Sequence, residues 1–422
     1  VNDRLATATR ETFASFRVRN FRLFFIGQGI SQVGNWLTLI AQTLLVLDLT
    51  GNGVAVGLLT ACQFGPVLLL GAWGGLVADR SDKRRLLLLV QVVAMFQSFA
   101  LGALAFMDDP PLAALFAVAA VGGLCMAFDN PARRSFVVEM VPQDHVHNAV
   151  SLNSAMMTSA RVIGPALAGL LITTVGYGWA FVGDGLSYVA VLVALWFIRT
   201  DELRPPPVTE RGKGQVRAGL RYVRSTPVLL VPMVMMAVVG TLAFNFSVTF
   251  PLVVTRTFGG SKGAFTILFS VISLGSLVGA LWTARRRSIG VDDVVKASLG
   301  FGLAMLAFAL APGMWWAYPL GILVGITSIG FLTASTAIVQ TEASPAMRGR
   351  VLALQAMVFL GSTPIGGPIV GWVAEHVGPR WSVALGGAAG VGAAIYGTLA
   401  GRGLDTEARE EELEVPVPEP TP

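Results

Sequence analysis

The sequence predicts an all-α membrane protein of twelve transmembrane helices, arranged as two six-helix bundles with both termini in the cytoplasm. Three observations lead there: long apolar runs recur along the chain, basic residues gather at every second loop, and the second half repeats landmarks of the first. Hydrophobic residues are 54% of the 422 residues and charged residues 13%, with a mean hydropathy of +0.68. The charge is about half that of an average soluble domain, so water is not the main solvent. The apolar runs are about 20 residues long, enough to cross a hydrocarbon core roughly 30 Å thick at 1.5 Å per residue.

Runs bounded by charge or turn residues predict spans at 21–49, 53–77, 86–107, 111–138, 149–175 and 179–198. A polar stretch follows, and then 228–254, 264–284, 294–311, 315–339, 351–373 and 381–400. The first run continues past the length of a signal-peptide core, so its helix is expected to stay in the mature protein. Lys and Arg are retained on the cytoplasmic side. They cluster at 4–22, 80–85, 133–134, 199–224, 285–296, 348–350 and 402–409, whereas the opposite loops hold only Arg256, Lys262 and Arg380. The pI near 9.5 thus reports topology rather than nucleic-acid binding.

Five segments are expected: a cytoplasmic segment 1–20, a first bundle 21–199, a linker 200–226, a second bundle 227–400 and a disordered acidic, Pro-rich tail 401–422. In the linker, Val216, Leu220 and Val223 alternate with Arg217, Arg221 and Arg224. That pattern suits either a helix on the anionic inner leaflet or a solvated tether. Cys62 and Cys125 lie in apolar runs without metal-ligand spacing, which points to packing and to no metal or cofactor.

Sliding the second half back by about 203 positions aligns Pro142 with Pro345, Gly164-Pro165 with Gly367-Pro368, and Val175-Gly176 with Val377-Gly378. A duplicated six-helix unit is implied, as in parallel-repeat transporters.

The loop after the second span reads Gly75-Leu76-Val77-Ala78-Asp79-Arg80-Ser81-Asp82-Lys83-Arg84. It resembles the G-x-x-x-D-R-x-G-R-R signature of the major facilitator superfamily, with Asp82 where the signature has Gly. Gly75 is expected to let helices approach closely, and Arg80, Lys83 and Arg84 to hold the loop in the cytoplasm. The resemblance implies that Asp79 latches the bundles near Arg348 and Arg350; the second half has Thr283 in its place, so the gate is expected to be asymmetric. Arg161 to Gly169, with Gly164 and Pro165, looks like the Gly-Pro motif of exporter branches, and Gly367-Pro368 repeats it. With Asn130-Pro131-Ala132-Arg133-Arg134, Gly27-Gln28, Gly34-Asn35-Trp36 and 345–351, the chain is similar to the transmembrane secretion effector branch.

Polar residues recur at helical spacing within three spans: Gln28, Gln32, Asn35 and Gln42; Ser154, Thr158 and Arg161; and Thr241, Asn245 and Thr249. Such stripes must face protein or water, so they line a central cavity or pack between helices. A charge in the membrane costs at least about 2.5 kcal/mol and needs a partner or a purpose. Counting at 1.5 Å per residue puts Asp129 and Arg161 at similar depths, roughly 14 and 16 Å. They are expected to pair, either as a coupling device or as a structural bridge. Asp184 is a second coupling candidate, and Asp48 is expected at the interface.

These readings predict a monomeric secondary transporter that exports a small amphipathic molecule, such as a siderophore or drug-like metabolite, in exchange for protons across the bilayer. Import or uniport by the same fold is the alternative. No nucleotide-binding G-x-x-x-x-G-K-[ST] run, G-x-S-x-G elbow or H-E-x-x-H motif occurs, which speaks against a primary pump or an enzyme.

Overall fold

The computed structural model describes residues 13–204, 215–283 and 289–414, and every regular element among them is helical. The first half contains α1 (Arg19–Thr50), α2 (Gly53–Arg80), α3 (Lys83–Ala105), α4 (Leu112–Glu139), α5 (Val146–Thr174) and α6 (Gly176–Trp196). A short α7 (Gln215–Arg224) leads into the second half. There the chain forms α8 (Pro227–Leu242) and α9 (Phe246–Leu252), which runs into a π turn at Val253–Thr257. It continues with α10 (Lys262–Thr283), α11 (Val291–Ala309), α12 (Met314–Glu342), α13 (Pro345–His376) and α14 (Pro379–Glu414).

Eleven helices among the described residues are long and apolar enough to cross a membrane, with α8, α9 and the π turn counted as one. Outside this set are the short α7 and α11, which carries Asp292, Asp293 and Lys296 in its first two turns. The surface agrees with a lipid setting. Leu69, Leu89 and Leu310 are largely exposed, as are Trp196 and Trp282 at the basic end and Trp179, Trp315 and Trp381 at the other. Tryptophan belts of this kind mark the two interfaces of a bilayer.

The local signals are chemical. Asn52 caps α2 by accepting from the Val54 N–H at 2.7 Å. Asp82 caps α3 by accepting from the Arg85 N–H at 3.0 Å, which explains the acid where the superfamily signature has Gly: a side-chain acceptor satisfies an orphan donor of the first turn. Among the described residues, all four with positive φ are glycines at the turns away from the basic loops: Gly51 (57°), Gly176 (85°), Gly259 (61°) and Gly378 (127°). Gly51 ends the first span and Gly259 ends its counterpart, while Gly176 and Gly378 form the second such pair. The duplication is therefore written in backbone conformation as well as in sequence.

Packing repeats it again. In the first half α1 lies on α6, α2 on α4 and α3 on α6; in the second, α8 lies on α14, α10 on α12 and α11 on α14. Two seams join the halves, α2 against α13 and α5 against α10, and they exchange under the same repeat. At Gly57 a Cβ would come within 2.5 Å of the Gly367 carbonyl oxygen, and at Gly169 it would collide with the side chain of Thr266. Toward the basic end the first seam loosens, because a Cβ at Gly65, Gly75 or Gly349 would meet nothing within 4 Å.

Several expectations change. Arg133 and Arg134, expected both within the fourth span and among the basic loop clusters, lie inside a helix that runs to Glu139, and Arg133 is buried. The seventh span breaks at 243–245, between α8 and α9. The linker helix is neither a tether nor wholly a leaflet helix. It docks on the second half, with Val223 buried, Gly219 against Leu354 and Tyr222 Oη accepting the Ser344 N–H at 3.1 Å. That N–H holds the Tyr222 hydroxyl below its usual pKa. The tail continues α14 as helix to Glu414, as its run of Ala, Glu, Arg and Leu favours; 1–12, 205–214 and 415–422 lie outside the described residues.

Gly378→Ala is expected to destabilise the protein by about 1–3 kcal/mol, the cost of forcing a Cβ into this backbone region. Gly183→Ala, where a Cβ meets open space, should be close to neutral. Thermal unfolding of the two variants in detergent checks the difference.

Candidate functional site

A cavity of about 380 Å³ lies between the halves. Its two walls differ in chemistry. The first half contributes all the charged side chains, Asp129, Arg133 and Arg161, with Gln32, Asn35 and Gln91 set among Trp36, Phe64, Met126 and Tyr188, and the second contributes Phe244, Phe246, Phe269 and Phe359 with Ser247 and Thr363.

The polar wall is one hydrogen-bonded network across α1, α3, α4, α5 and α6. Arg133 Nη2 pairs with Asp129 Oδ2 at 2.5 Å, one helical turn away on α4. Gln91 Nε2 donates to Asp129 Oδ1 at 2.7 Å, and Arg133 Nη2 also donates to Asn130 Oδ1 at 2.9 Å. The Met157 sulfur accepts from Gln32 Nε2 at 2.9 Å and from Arg133 Nη1 at 3.5 Å. Asn35 Oδ1 accepts from Tyr188 Oη at 2.8 Å.

The expected Asp129–Arg161 pair is not formed. Residues four apart on a helix face one another, so Arg133 satisfies Asp129 within α4. Arg161 instead sits over the Trp36 ring, 5.4 Å from its centroid, and its Nε is buried with no hydrogen-bond partner. Trp36 in turn meets Phe269 of the second half at 6.2 Å.

Asp184 lies behind this wall, fully buried on α6. Its Oδ2 accepts from Thr38 Oγ1 at 2.7 Å and from Ser98 Oγ at 2.6 Å, and Ser187 reaches Oδ1 at 3.4 Å. Among the described residues it forms no ion pair. Close packing matches it: a Cβ on Gly34 would strike the Asp184 carboxylate.

Of the polar stripes, Gln32, Asn35 and Arg161 line the cavity, and the rest do not. Gln28 is buried with both side-chain polar atoms unpaired, and Gln42 accepts from Gln63 Nε2 at 2.8 Å. Ser154 and Thr158 bond back to the carbonyls of Val150 and Ser154. Thr241 and Thr249 likewise bond to Ala237 and Asn245, and Asn245 Nδ2 donates to the Thr241 carbonyl at 2.6 Å where the seventh span breaks. Such back-bonding spends the side chain on its own helix. The break presents Phe244 and Phe246 to the cavity instead, which helical spacing could not foresee.

The signature loop ties the first half to itself. Lys83 pairs with Glu139 at 2.6 Å, and Arg84 donates to the carbonyls of Leu195 at 2.7 Å and Trp196 at 3.0 Å at the end of α6. Asp79 is half-buried and Arg80 exposed at the end of α2. The close-approach glycine is Gly74, packed on the Ala127 carbonyl, rather than Gly75, which faces open space. Arg348 reaches the Ala343 carbonyl at 3.5 Å and Arg350 the Met347 sulfur at 3.3 Å. Gly164 lies against Trp36 and Val33 of α1, with Pro165 inside an α5 that continues to Thr174. Gly367 and Pro368 lie against Gly57 and Thr60 of α2.

At the end away from the basic loops, two ion clusters bridge the halves. Asp48 pairs with Lys262 and accepts from Tyr177 Oη at 2.6 Å, with the Lys262 ammonium 5.1 Å from the Tyr177 ring centroid. Glu375 pairs with Arg256 at 2.9 Å and accepts the Gly53 N–H at 2.7 Å, while Arg256 donates to the Gly51 carbonyl. Asp48 is thus an inter-bundle contact rather than only an interfacial charge. Glu375 carried no sequence signal beyond its place near the end of a span.

The transmembrane secretion effector family matches this chain over residues 10–420. The chain belongs to that branch of the major facilitator superfamily. It is therefore a multi-pass inner-membrane transporter and not an enzyme. A staphyloferrin A transporter of Staphylococcus aureus is 24% identical over 367 residues, covering 85% of this chain and 90% of the relative. An enterobactin exporter of Shigella flexneri is 25% identical over 388 residues, 90% of each. Among solved structures, a bacterial homologue of the human lysosomal transporter Spinster, inward-facing and occupied, superposes with a TM-score of 0.73 at 17% identity over 92% of this chain and 97% of that one. The nucleoside transporter NupG gives 0.71 at 16% identity over 90% and 98%.

Replacing Asp129 or Arg133 by Ala alone strands a buried charge and is expected to destabilise the transporter by about 3–5 kcal/mol. The double replacement should cost less than the sum of the two, a coupling that a double-mutant cycle of thermal unfolding measures.

Proposed function

We propose that the chain is a proton-coupled exporter of a small amphipathic organic molecule, working as a monomer by alternating access. In this reading α11 is the ninth of twelve spans, its three charges lying near the basic end, and that end and both termini face the cytoplasm. The observation that carries the proposal is the cavity between unequal walls, one carrying all the charge among apolar and polar groups and the other rich in phenylalanine, beneath a face closed by glycine seams and ion clusters. Such a site takes a molecule with one apolar and one hydrogen-bonding side. The Gly-Pro contact of α5 with α1 and the exporter among the relatives support outward transport.

The coupling proton is assigned to Asp184. Asp129 has a guanidinium partner at 2.5 Å, whereas Asp184 is held by hydroxyls alone. Protonation there removes an unpaired charge from the α1–α6 interface, one turn from the Tyr188–Asn35 bond that lines the cavity, and so biases the two conformations. On the cytoplasmic side Asp79 serves as the latch of the opposite state, toward Arg348 and Arg350.

An untargeted comparison of extracellular metabolites with and without the protein is the direct test. Export predicts a compound that disappears from the medium when the protein is removed; depletion of a compound from the medium only when it is present indicates uptake. In proteoliposomes, Asp184→Asn is expected to abolish acceleration of transport by a pH gradient while substrate exchange persists. Loss of that acceleration in Asp129→Asn but not in Asp184→Asn would move the proton to the other carboxylate. Removing the closed-face ion pairs with Asp48→Asn and Glu375→Gln should raise labelling of Cys125, which lines the cavity, from the outside. Each pair, partly exposed, contributes about 0–1 kcal/mol, so the shift should be several-fold at most.

A further inference from the structure

Building on the transport reading, we infer that the central cavity selects an aromatic organic anion, whose carboxylate or comparable oxyanion is bound by Arg161. The cavity's charged side chains are two guanidiniums and one carboxylate, and the pair Asp129–Arg133 cancels. Arg161 is left as a net positive charge facing the space. It makes no ion pair among the described residues, and its buried Nε has no hydrogen-bond partner. The contact it does make, over the face of Trp36 at 5.4 Å, is not a hydrogen bond and so uses none of its donors. A guanidinium suits bidentate recognition of a planar oxyanion, and an uncompensated one in a membrane interior is costly unless a ligand completes it.

The rest of the cavity specifies what carries the charge. Trp36 links Arg161 to Phe269. Across the space, Phe244 packs edge-on against Phe359 at 5.1 Å and stacks with Phe246 at 5.7 Å. These rings offer faces and edges to a flat apolar body. An organic cation is disfavoured by the net charge of the wall, and a small inorganic anion would leave the aromatic wall unfilled.

The test uses the full chain in lipid nanodiscs at neutral pH, with two probes of one shape: naphthalene-2-carboxylate and its uncharged amide, naphthalene-2-carboxamide. Equilibrium binding of the radiolabelled compounds is measured. The wild type should bind the carboxylate about tenfold or more tightly than the amide, as a charge-assisted hydrogen bond to a buried site predicts. Arg161→Gln should erase that preference while leaving amide binding within about twofold, and Arg161→Lys should restore part of it. Amide binding and an unchanged elution profile show that the Gln variant is folded. Equal affinities in the wild type, no measurable binding of either probe, or a preference that survives Arg161→Gln would overturn the assignment. If the preference is found but removing the protein changes no extracellular metabolite, the anion site stands and the export reading falls.

Discussion

The halves of this transporter meet where one backbone lies directly on another. Along α2 and α13, Gly57 and Gly53 face Gly367 and Gly371; along α5 and α10, Gly169 leaves room for Thr266. Small residues permit close approach in a bilayer, where no hydrophobic force drives helices together. A seam of this kind is held by many short contacts of low individual energy, with side chains as small as Thr60 and Thr266 seated on the facing glycines. The ion clusters around Asp48 and Glu375 add direction without depth, since their partners remain partly solvated. In the proposed alternating-access cycle the closed face parts as a unit for about a few kcal/mol, the range in which a ligand or a proton shifts populations. The two seams are repeat-related, so in that cycle the same geometry serves as the hinge when the other face closes.

Charge is distributed by the same economy. The polar wall belongs to the first half, in which each buried ion has a different solution: Asp129 and Arg133 neutralise each other on one helix, Asp184 gathers hydroxyls from α1, α3 and α6, and Arg161 rests on an indole. The second half answers with phenylalanine. The asymmetry anticipated at the signature loop, where Asp79 faces Thr283 across the repeat, is thus carried into the cavity, where one bundle supplies the polar chemistry and the other a conformable aromatic surface.

Most of the architecture was legible in the sequence because the bilayer imposes it. Span length, the alternation of basic loops and the repeat landmarks Gly164-Pro165 and Gly367-Pro368 all follow from physical requirements that a single chain displays. The signature loop at 75–84 was legible for the same reason, although the close-packing glycine is Gly74 and not its neighbour. The site was less so. Depth counted along a helix placed Asp129 level with Arg161 but ignored the partner available one turn away, because Arg133 was weighed as a topology signal and not as an ion partner. Helical spacing drew attention to Gln32, Asn35 and Arg161, which line the cavity. It also marked Thr241, Asn245 and Thr249, whose side chains are consumed by their own backbone at a break that no Gly or Pro at 243–245 announces. The phenylalanine wall had no signal, since an apolar residue facing a cavity and one facing lipid look alike in a hydrophobic run.

The central claim is that the two bundles rock about their glycine seams as rigid bodies, so that opening one face closes the other. Spin labels report this directly in a chain whose Cys62 and Cys125 are replaced by Ser, with one pair at exposed Leu49 and Val377 and another at exposed Arg80 and Thr341. Double electron–electron resonance should show two distance populations for each pair, with the first lengthening as the second shortens when pH or ligand is changed. Distances that stay single, or that lengthen together at both ends, would contradict the account.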